Sequence, residues 1–286
     1  MESRARSILI VRDERNEPTA RTGFVDADGV QLAWSRSGQG EPSKPTLLLA
    51  HGITDSAACW DRVSSALDPS WDVVRYDARG HGLSSRADRY LVEQHTKDLV
   101  GLCAALQLDR PVVVGHSMGG VHAALAASEM DVRALILEDP HWPEIPEDGT
   151  KDIAASRRSV VRVAELPREK RLAYCRAQHP TWTESDLRPW VEAQPLVDPD
   201  VVNWFGSWRT TNRWRDHVHN LPCPGLLLTA DPGTVTPSAA AEAQDLWPQL
   251  QVVKIEGAGH NIRRDRFEPY WRAVTSFLTE LASGAI

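Results

Sequence analysis

Gly115-His116-Ser117-Met118-Gly119-Gly120 fits the pattern G-x-S-x-G, between an apolar run at residues 111–114 and a helix-like stretch at 121–128. A strand that turns sharply into a helix holds such a serine in a strained backbone geometry and lifts its hydroxyl above the sheet edge. Glycines on both sides keep neighbouring Cβ atoms away, and the N–H of Met118 points at the same spot. The chemistry available there is nucleophilic attack on a substrate carbonyl. A serine hydroxyl is a poor nucleophile at neutral pH, so it requires a base, and the base requires a group that holds its tautomer. Among ten histidines, His260 is the best placed. It lies in Gly257-Ala258-Gly259-His260-Asn261, after the last apolar run and before a terminal helix at 267–281. From the carboxyl end of one strand it can reach the carboxyl end of another. His51, His81 and His116 sit inside loop motifs and are expected to position backbone. His179, His217 and His219 are expected to be solvated.

The elements that must position these residues follow from the hydrophobic pattern. Short apolar runs at 46–50, 72–76, 111–115, 134–138, 225–229 and 251–255 read as strands buried on both faces. Amphipathic stretches lie between them, such as 93–108, where Leu99, Leu102, Cys103 and Leu106 recur at helical spacing. Strand alternating with helix predicts an α/β fold with a mostly parallel central sheet flanked by helices. Residues 23–37 contain Asp28-Gly29 between two alternating segments, a hairpin signal for antiparallel strands at the sheet edge. Residues 1–20 show no clear pattern and read as an N-terminal extension. From about 143 to 220 the strand runs vanish and helical, charged, tryptophan-rich sequence takes over, an insertion between core segments 21–142 and 221–286. Six of the eleven tryptophans lie in or beside it: Trp142, Trp182, Trp190, Trp204, Trp208 and Trp214. Most are expected to form a core for the insertion, with one or two lining a pocket. Trp142 is the best candidate for substrate contact, because it stands where chain leaves sheet for insertion; packing the insertion onto the core is its other reading.

The 286 residues, 42% hydrophobic and 25% charged, exclude disordered and fibrous classes. A net charge of −7 with both signs interspersed provides no phosphate-tracking surface, so no nucleic-acid partner is expected. Cys59, Cys103, Cys175 and Cys223 are far apart and form no C-x-x-C pair, so neither a zinc site nor a disulfide framework is expected. The apolar stretch after the basic N-terminus is too short for a signal-peptide core, and no run approaches the ~18 residues of a membrane span. A soluble, cytoplasmic protein is the expectation, with its oligomeric state left open, a homo-oligomer included.

The motifs together resemble the α/β-hydrolase fold family with a helical cap, over residues 22–286. Besides the serine turn and the Gly-His loop, His51-Gly52-Ile53 follows one strand and Asp77-Ala78-Arg79-Gly80-His81-Gly82-Leu83-Ser84 follows the next, both familiar from that family. The resemblance implies an oxyanion hole formed by the Met118 and Ile53 amides and a purely structural turn at 77–84. It also exposes a departure. In most relatives the acid follows the strand represented here by 225–229, and a gapless match of 224–237 puts Gly233 at the catalytic aspartate. The preceding strand ends Leu137-Glu138-Asp139-Pro140, and some relatives, certain lactone hydrolases among them, carry the acid there. Asp139 is therefore favoured. Asp231, which could substitute if its loop shifted by about two residues, is the alternative.

The expected activity is hydrolysis of a carboxylic ester or lactone of a largely apolar small molecule through an acyl-enzyme, with Ser117, His260 and Asp139 as triad and without metal or organic cofactor. A serine at the turn argues against the family's epoxide hydrolases and haloalkane dehalogenases, which carry an aspartate there. Carbon–carbon hydrolysis of a diketone-like substrate and a low-turnover ligand-binding protein are the alternatives.

Overall fold

The computed structural model describes residues 6–12, 18–27, 29–37, 44–67, 71–142, 152–211 and 214–286. Nine strands are present among the described residues: β1 (Arg6–Arg12), β2 (Pro18–Ala27), β3 (Val30–Arg36), β4 (Thr46–Ala50), β5 (Asp72–Tyr76), β6 (Val112–His116), β7 (Ala134–Glu138), β8 (Gly225–Thr229) and β9 (Leu250–Lys254). They form one sheet in the order β1-β2-β3-β5-β4-β6-β7-β8-β9. The first three strands pair antiparallel and β3 joins β5 antiparallel, while β5 through β9 pair parallel. The expected hairpin is β2 and β3, with Asp28 of its turn outside the described residues. The N-terminal extension needs correction, because Arg6–Arg12 is a strand on the sheet edge and β2 begins at Pro18. An edge strand is recruited by main-chain pairing to a single neighbour, so it needs no alternating pattern to find its place.

The central parallel strands read as unbroken apolar runs because both faces are covered, whereas β9, on the sheet edge, is only partly buried. Leu48, Val113, Leu135, Leu137 and Leu227 pack into one core, and their chain neighbours Leu47, Leu49, Val112, Val114, Ile136 and Leu226 into the other. The helices are α1 (Asp61–Ala66), α2 (Val92–Ala105), α3 (Met118–Ala126), α4 (Ile153–Glu165), α5 (Arg168–Gln178), α6 (Glu184–Ala193), α7 (Trp204–Thr211), α8 (Trp214–Val218), α9 (Pro237–Leu246), α10 (Ile262–Asp265) and α11 (Phe267–Ser283). Residues of α2, α3, α8 and α9 share the first core, and those of α1, α10 and α11 the second. The chain leaves β4 for β5 on one side and then crosses to β6 on the other, which opens a crevice at the carboxyl ends of β4 and β6.

Helices α4 to α8 fill the interval between β7 and β8, as the loss of strand runs predicts. Their tryptophans do not form one separate core. Trp204, Trp208 and Trp214 join the first core of the sheet, and only Trp182, with Trp190 packed against it, sits in a small cluster of the insertion with Cys175, Leu187 and Val191. Trp142 is 1% exposed and stacks on Trp214, centroids 4.9 Å apart and planes 7° from parallel.

A buried polar chain also ties insertion to core. The Trp204 indole N–H donates to His122 Nε2 at 3.0 Å, so His122 carries its proton on Nδ1, which lies 3.2 Å from Thr96 Oγ1; that hydroxyl donates to Val92 O. Burial pushes the His122 and His81 imidazoles down to about 3, and those of His95 and His116 well below the usual value. The unfolded chain takes up protons below pH 6.5 that these four side chains refuse in the fold, so stability is lost as pH falls through that value. Burial raises the Asp77 and Glu138 carboxyls, which opposes the slope but involves fewer groups. Each neutral buried histidine contributes up to about 1.4 kcal/mol per pH unit. Urea denaturation at pH 6.5 and pH 5.0 is expected to give a lower midpoint at pH 5.0; equal midpoints would contradict these neutral histidines.

Candidate functional site

Ser117 stands between β6 and α3 with φ 51° and ψ −113°, a conformation that non-glycine residues rarely adopt. Close packing enforces it. A Cβ on Gly115 would lie 2.4 Å from the Gly119 carbonyl oxygen, and one on Gly119 would lie 2.3 Å from that of Ala50. Only glycine at both positions lets the turn close against β4. The Ser117 N–H donates to Glu138 O at 3.0 Å, which registers the turn against the end of β7.

His260 Nδ1 donates to Asp139 Oδ2 at 2.6 Å, leaving Nε2 free. Asp139 is fully buried at the end of β7 with φ 40°, and its carboxylate accepts the Thr234 N–H at 2.9 Å and the Val235 N–H at 3.1 Å. Thr234 Oγ1 is within reach of two further carbonyls there, those of Asp139 and Pro140. The loop after β8 therefore serves as an amide cradle for a carboxylate carried by β7. A Cβ on Gly233 would sit 2.9 Å from Asp139 Oδ1, so residue 233 and the Asp139 carboxylate adjoin the same point in space. Asp231 is placed elsewhere: its side chain is 76% exposed and faces Lys254 Nζ at 3.5 Å.

Ser117 and His260 line one cavity of about 310 Å³ with Ile53, Thr54, His141, His179, Trp182, Trp190, Phe205, Asn261 and Arg264 among others. Met118 opens α3, where its N–H has no acceptor within the helix, and Ile53 follows β4 on the cavity wall. The loop carrying Ile53 is fastened from behind. His81 Nε2 accepts the Thr54 N–H, His51 Nε2 accepts the Ala78 N–H, and Asp77 accepts those of Ala57 and Leu83. The segment at 77–84 thus supports a neighbouring loop, as its turn motif implies. His116 Nε2 donates to His260 O at 3.0 Å, tying the residue before the serine to the histidine loop.

Beneath the cavity lies a neutralised ion cluster. Arg263 donates to Glu138 at 2.8 Å and to Asp55 at 3.1 Å, and Arg264 donates to Asp55 at 2.9 Å. All four side chains are at most 4% exposed. Two cations facing two carboxylates let charge be buried without an uncompensated partner.

Two expectations need correction. Trp142 does not line the cavity that holds Ser117, because its stacking on Trp214 uses its ring as packing between sheet and insertion. His179 is not a freely solvated side chain: it stacks on Trp182, centroids 3.9 Å apart, and lines the cavity. His141 and Arg264, which line the cavity, carry no motif that marks them in the sequence. Proximity to Asp139 and His260 along the chain was the available signal.

The sequence model of the alpha/beta hydrolase family matches residues 47–273. The N-formylmaleamate deformylase of Pseudomonas putida is 29% identical over 272 residues, covering 90% of this chain and 96% of that protein. The 2-(acetamidomethylene)succinate hydrolase of Mesorhizobium japonicum is 26% identical over 267 residues, covering 89% and 94%. Among solved structures, an N-formylmaleamic acid deformylase of Pseudomonas putida superimposes with a TM-score of 0.73 at 27% identity, covering 88% of this chain and 99% of that one. With most of its length matched and its sheet arranged around the strand-to-helix serine turn, this chain belongs to the α/β hydrolase family.

Proposed function

We propose that the protein is a serine hydrolase that cleaves a carboxylic ester or lactone of a small molecule through an acyl-enzyme. The observation that carries this reading is the 2.6 Å bond from His260 Nδ1 to the buried, amide-cradled Asp139, on a histidine that shares a cavity with Ser117. Asp139 fixes the tautomer in which Nε2 is the base. Ser117 Oγ attacks the substrate carbonyl while Nε2 takes its proton, and the Met118 and Ile53 amides receive the charge developing on the carbonyl oxygen. The tetrahedral intermediate collapses by breaking the carbon–oxygen bond, and the imidazolium returns the proton to the departing alcohol. Water then attacks the acyl-serine while His260 takes its proton; the carbon–Oγ bond breaks, the imidazolium returns the proton to Ser117 Oγ, and the acid is released. No step calls for a metal or organic cofactor. The insertion acts as a cap whose Trp182, Trp190 and Phe205 offer an apolar, aromatic wall to the acyl or alcohol group.

A second reading is amide hydrolysis. It is favoured by the names of the two relatives, an N-formylmaleamate deformylase and a 2-(acetamidomethylene)succinate hydrolase, and by the polar His141, His179 and Arg264 on the cavity wall. The same residues would perform it, with an amine as the leaving group. Phenyl acetate and acetanilide share an acyl group, so comparing kcat/KM on the two separates the readings. The ester reading expects turnover of phenyl acetate only; comparable turnover of acetanilide would transfer the conclusion to amides.

The choice of acid is tested on the same ester. Asp139→Asn is expected to lower kcat about 10³-fold or more by releasing the tautomer, whereas Asp231→Asn stays within about twofold of wild type. A tenfold loss in Asp231→Asn with Asp139→Asn near wild type would contradict the assignment.

A further inference from the structure

We propose that Asp265, at the end of α10, is a positioning residue that couples the cap to the loop of the reacting histidine. Its two carboxylate oxygens serve different parts of the molecule. Oδ1 accepts the Trp182 indole N–H at 3.0 Å and the Thr181 hydroxyl at 2.9 Å, both from the turn between α5 and α6. Oδ2 accepts the Gly259 N–H at 3.0 Å, one residue before His260. A carboxylate is planar and rigid, so donors that fix one oxygen orient the other. Loosening the cap side therefore releases the Gly259 amide from its best alignment and with it the backbone that carries His260.

Trp182 connects this coupling to substrate. Its ring is stacked on His179 and lies 4.5 Å from the Arg264 guanidinium carbon, and all three residues line the cavity with His260. A substrate group seated against Trp182 holds the indole where its N–H meets Asp265. Binding energy at the cap is thereby passed to the orientation of the base, which raises kcat as well as affinity. The consequence for turnover rests on the serine-hydrolase reading; the mechanical coupling does not.

Hydrogen exchange tests the coupling without any substrate. Thr181→Val removes a donor on the surface, and the double variant Thr181→Val, Trp182→Phe removes both donors to Oδ1 while leaving Asp265 and Gly259 in place. Exchange in the peptide spanning 257–262 is expected to rise about fivefold or more in the double variant, with exchange across β6 unchanged. Unchanged exchange at 257–262 in a folded double variant would overturn the proposal, whatever the chain hydrolyses. On an ester substrate, with active sites counted by fluorophosphonate titration, Asp265→Asn is expected to lower kcat per active site about fivefold with KM for a small acetate ester within about twofold, a loss that a smaller folded fraction does not produce. Equal changes in both, or none, would contradict a positioning role. Turnover that survives Ser117→Ala would instead remove the serine-hydrolase reading and leave the exchange result standing.

Discussion

A serine backbone held at φ 51° and ψ −113° is the constraint on which the rest of the structure turns. Such a conformation costs about 1–3 kcal/mol and persists only where its surroundings over-determine it. Here β6 enters between β4 and β7, α3 leaves at once, and the Gly119 backbone lies against the Ala50 and His51 carbonyls with no room for a Cβ. Two cores, one on each face of the sheet, supply the rigidity that keeps the turn from relaxing. The same crossing of the chain from β5 to β6 brings the loops after β4 and β6 side by side, so Ile53 and Ser117 face one cavity.

Charge is arranged around that cavity in two ways. The Asp139 carboxyl is separated from solvent and bonded by two amide donors and the His260 imidazole. Position 233 and the Asp139 carboxylate adjoin one another, so the carboxylate reaches the histidine from β7 while the loop after β8 provides the N–H groups. Below, Arg263 and Arg264 face Glu138 and Asp55, locking the end of β7, the loop after β4 and the start of α10 to one another. His260 is thus bracketed by the His116 side chain, which donates to its carbonyl, and by a segment fixed through α10.

Much of this was legible in the residues. Four of the six parallel strands have the bounds that their apolar runs predict, and the other two differ by one residue; burial on both faces leaves no ambiguity of pattern in β4, β6, β7 and β8. Ser117 and His260 stand in glycine-rich turns that are written locally, and Asp139 follows from the resemblance to relatives with an acid at this strand end; the structure sets Asp139 against His260, and His260 in one cavity with Ser117. What was not legible depends on partners distant in sequence. β1 takes its place from the unpaired edge of β2. Trp142 resembled a pocket residue until Trp214, 72 positions later, proved to be its stacking partner, and His179 could not reveal from a charged neighbourhood that Trp182 would fold over it. Asp265 is one acidic residue in a run of arginines; only the fold brings Thr181, Trp182 and Gly259 to it.

The proposed mechanism requires Ser117 to be an activated nucleophile. Intact mass after exposure to a fluorophosphonate, on wild type and on Ser117→Ala, tests it directly, because the probe reacts with the serine and needs no natural substrate. An activated Ser117 gives a single adduct on wild type and none on the variant. A folded wild type that takes up no adduct, or an adduct that survives Ser117→Ala, would contradict it.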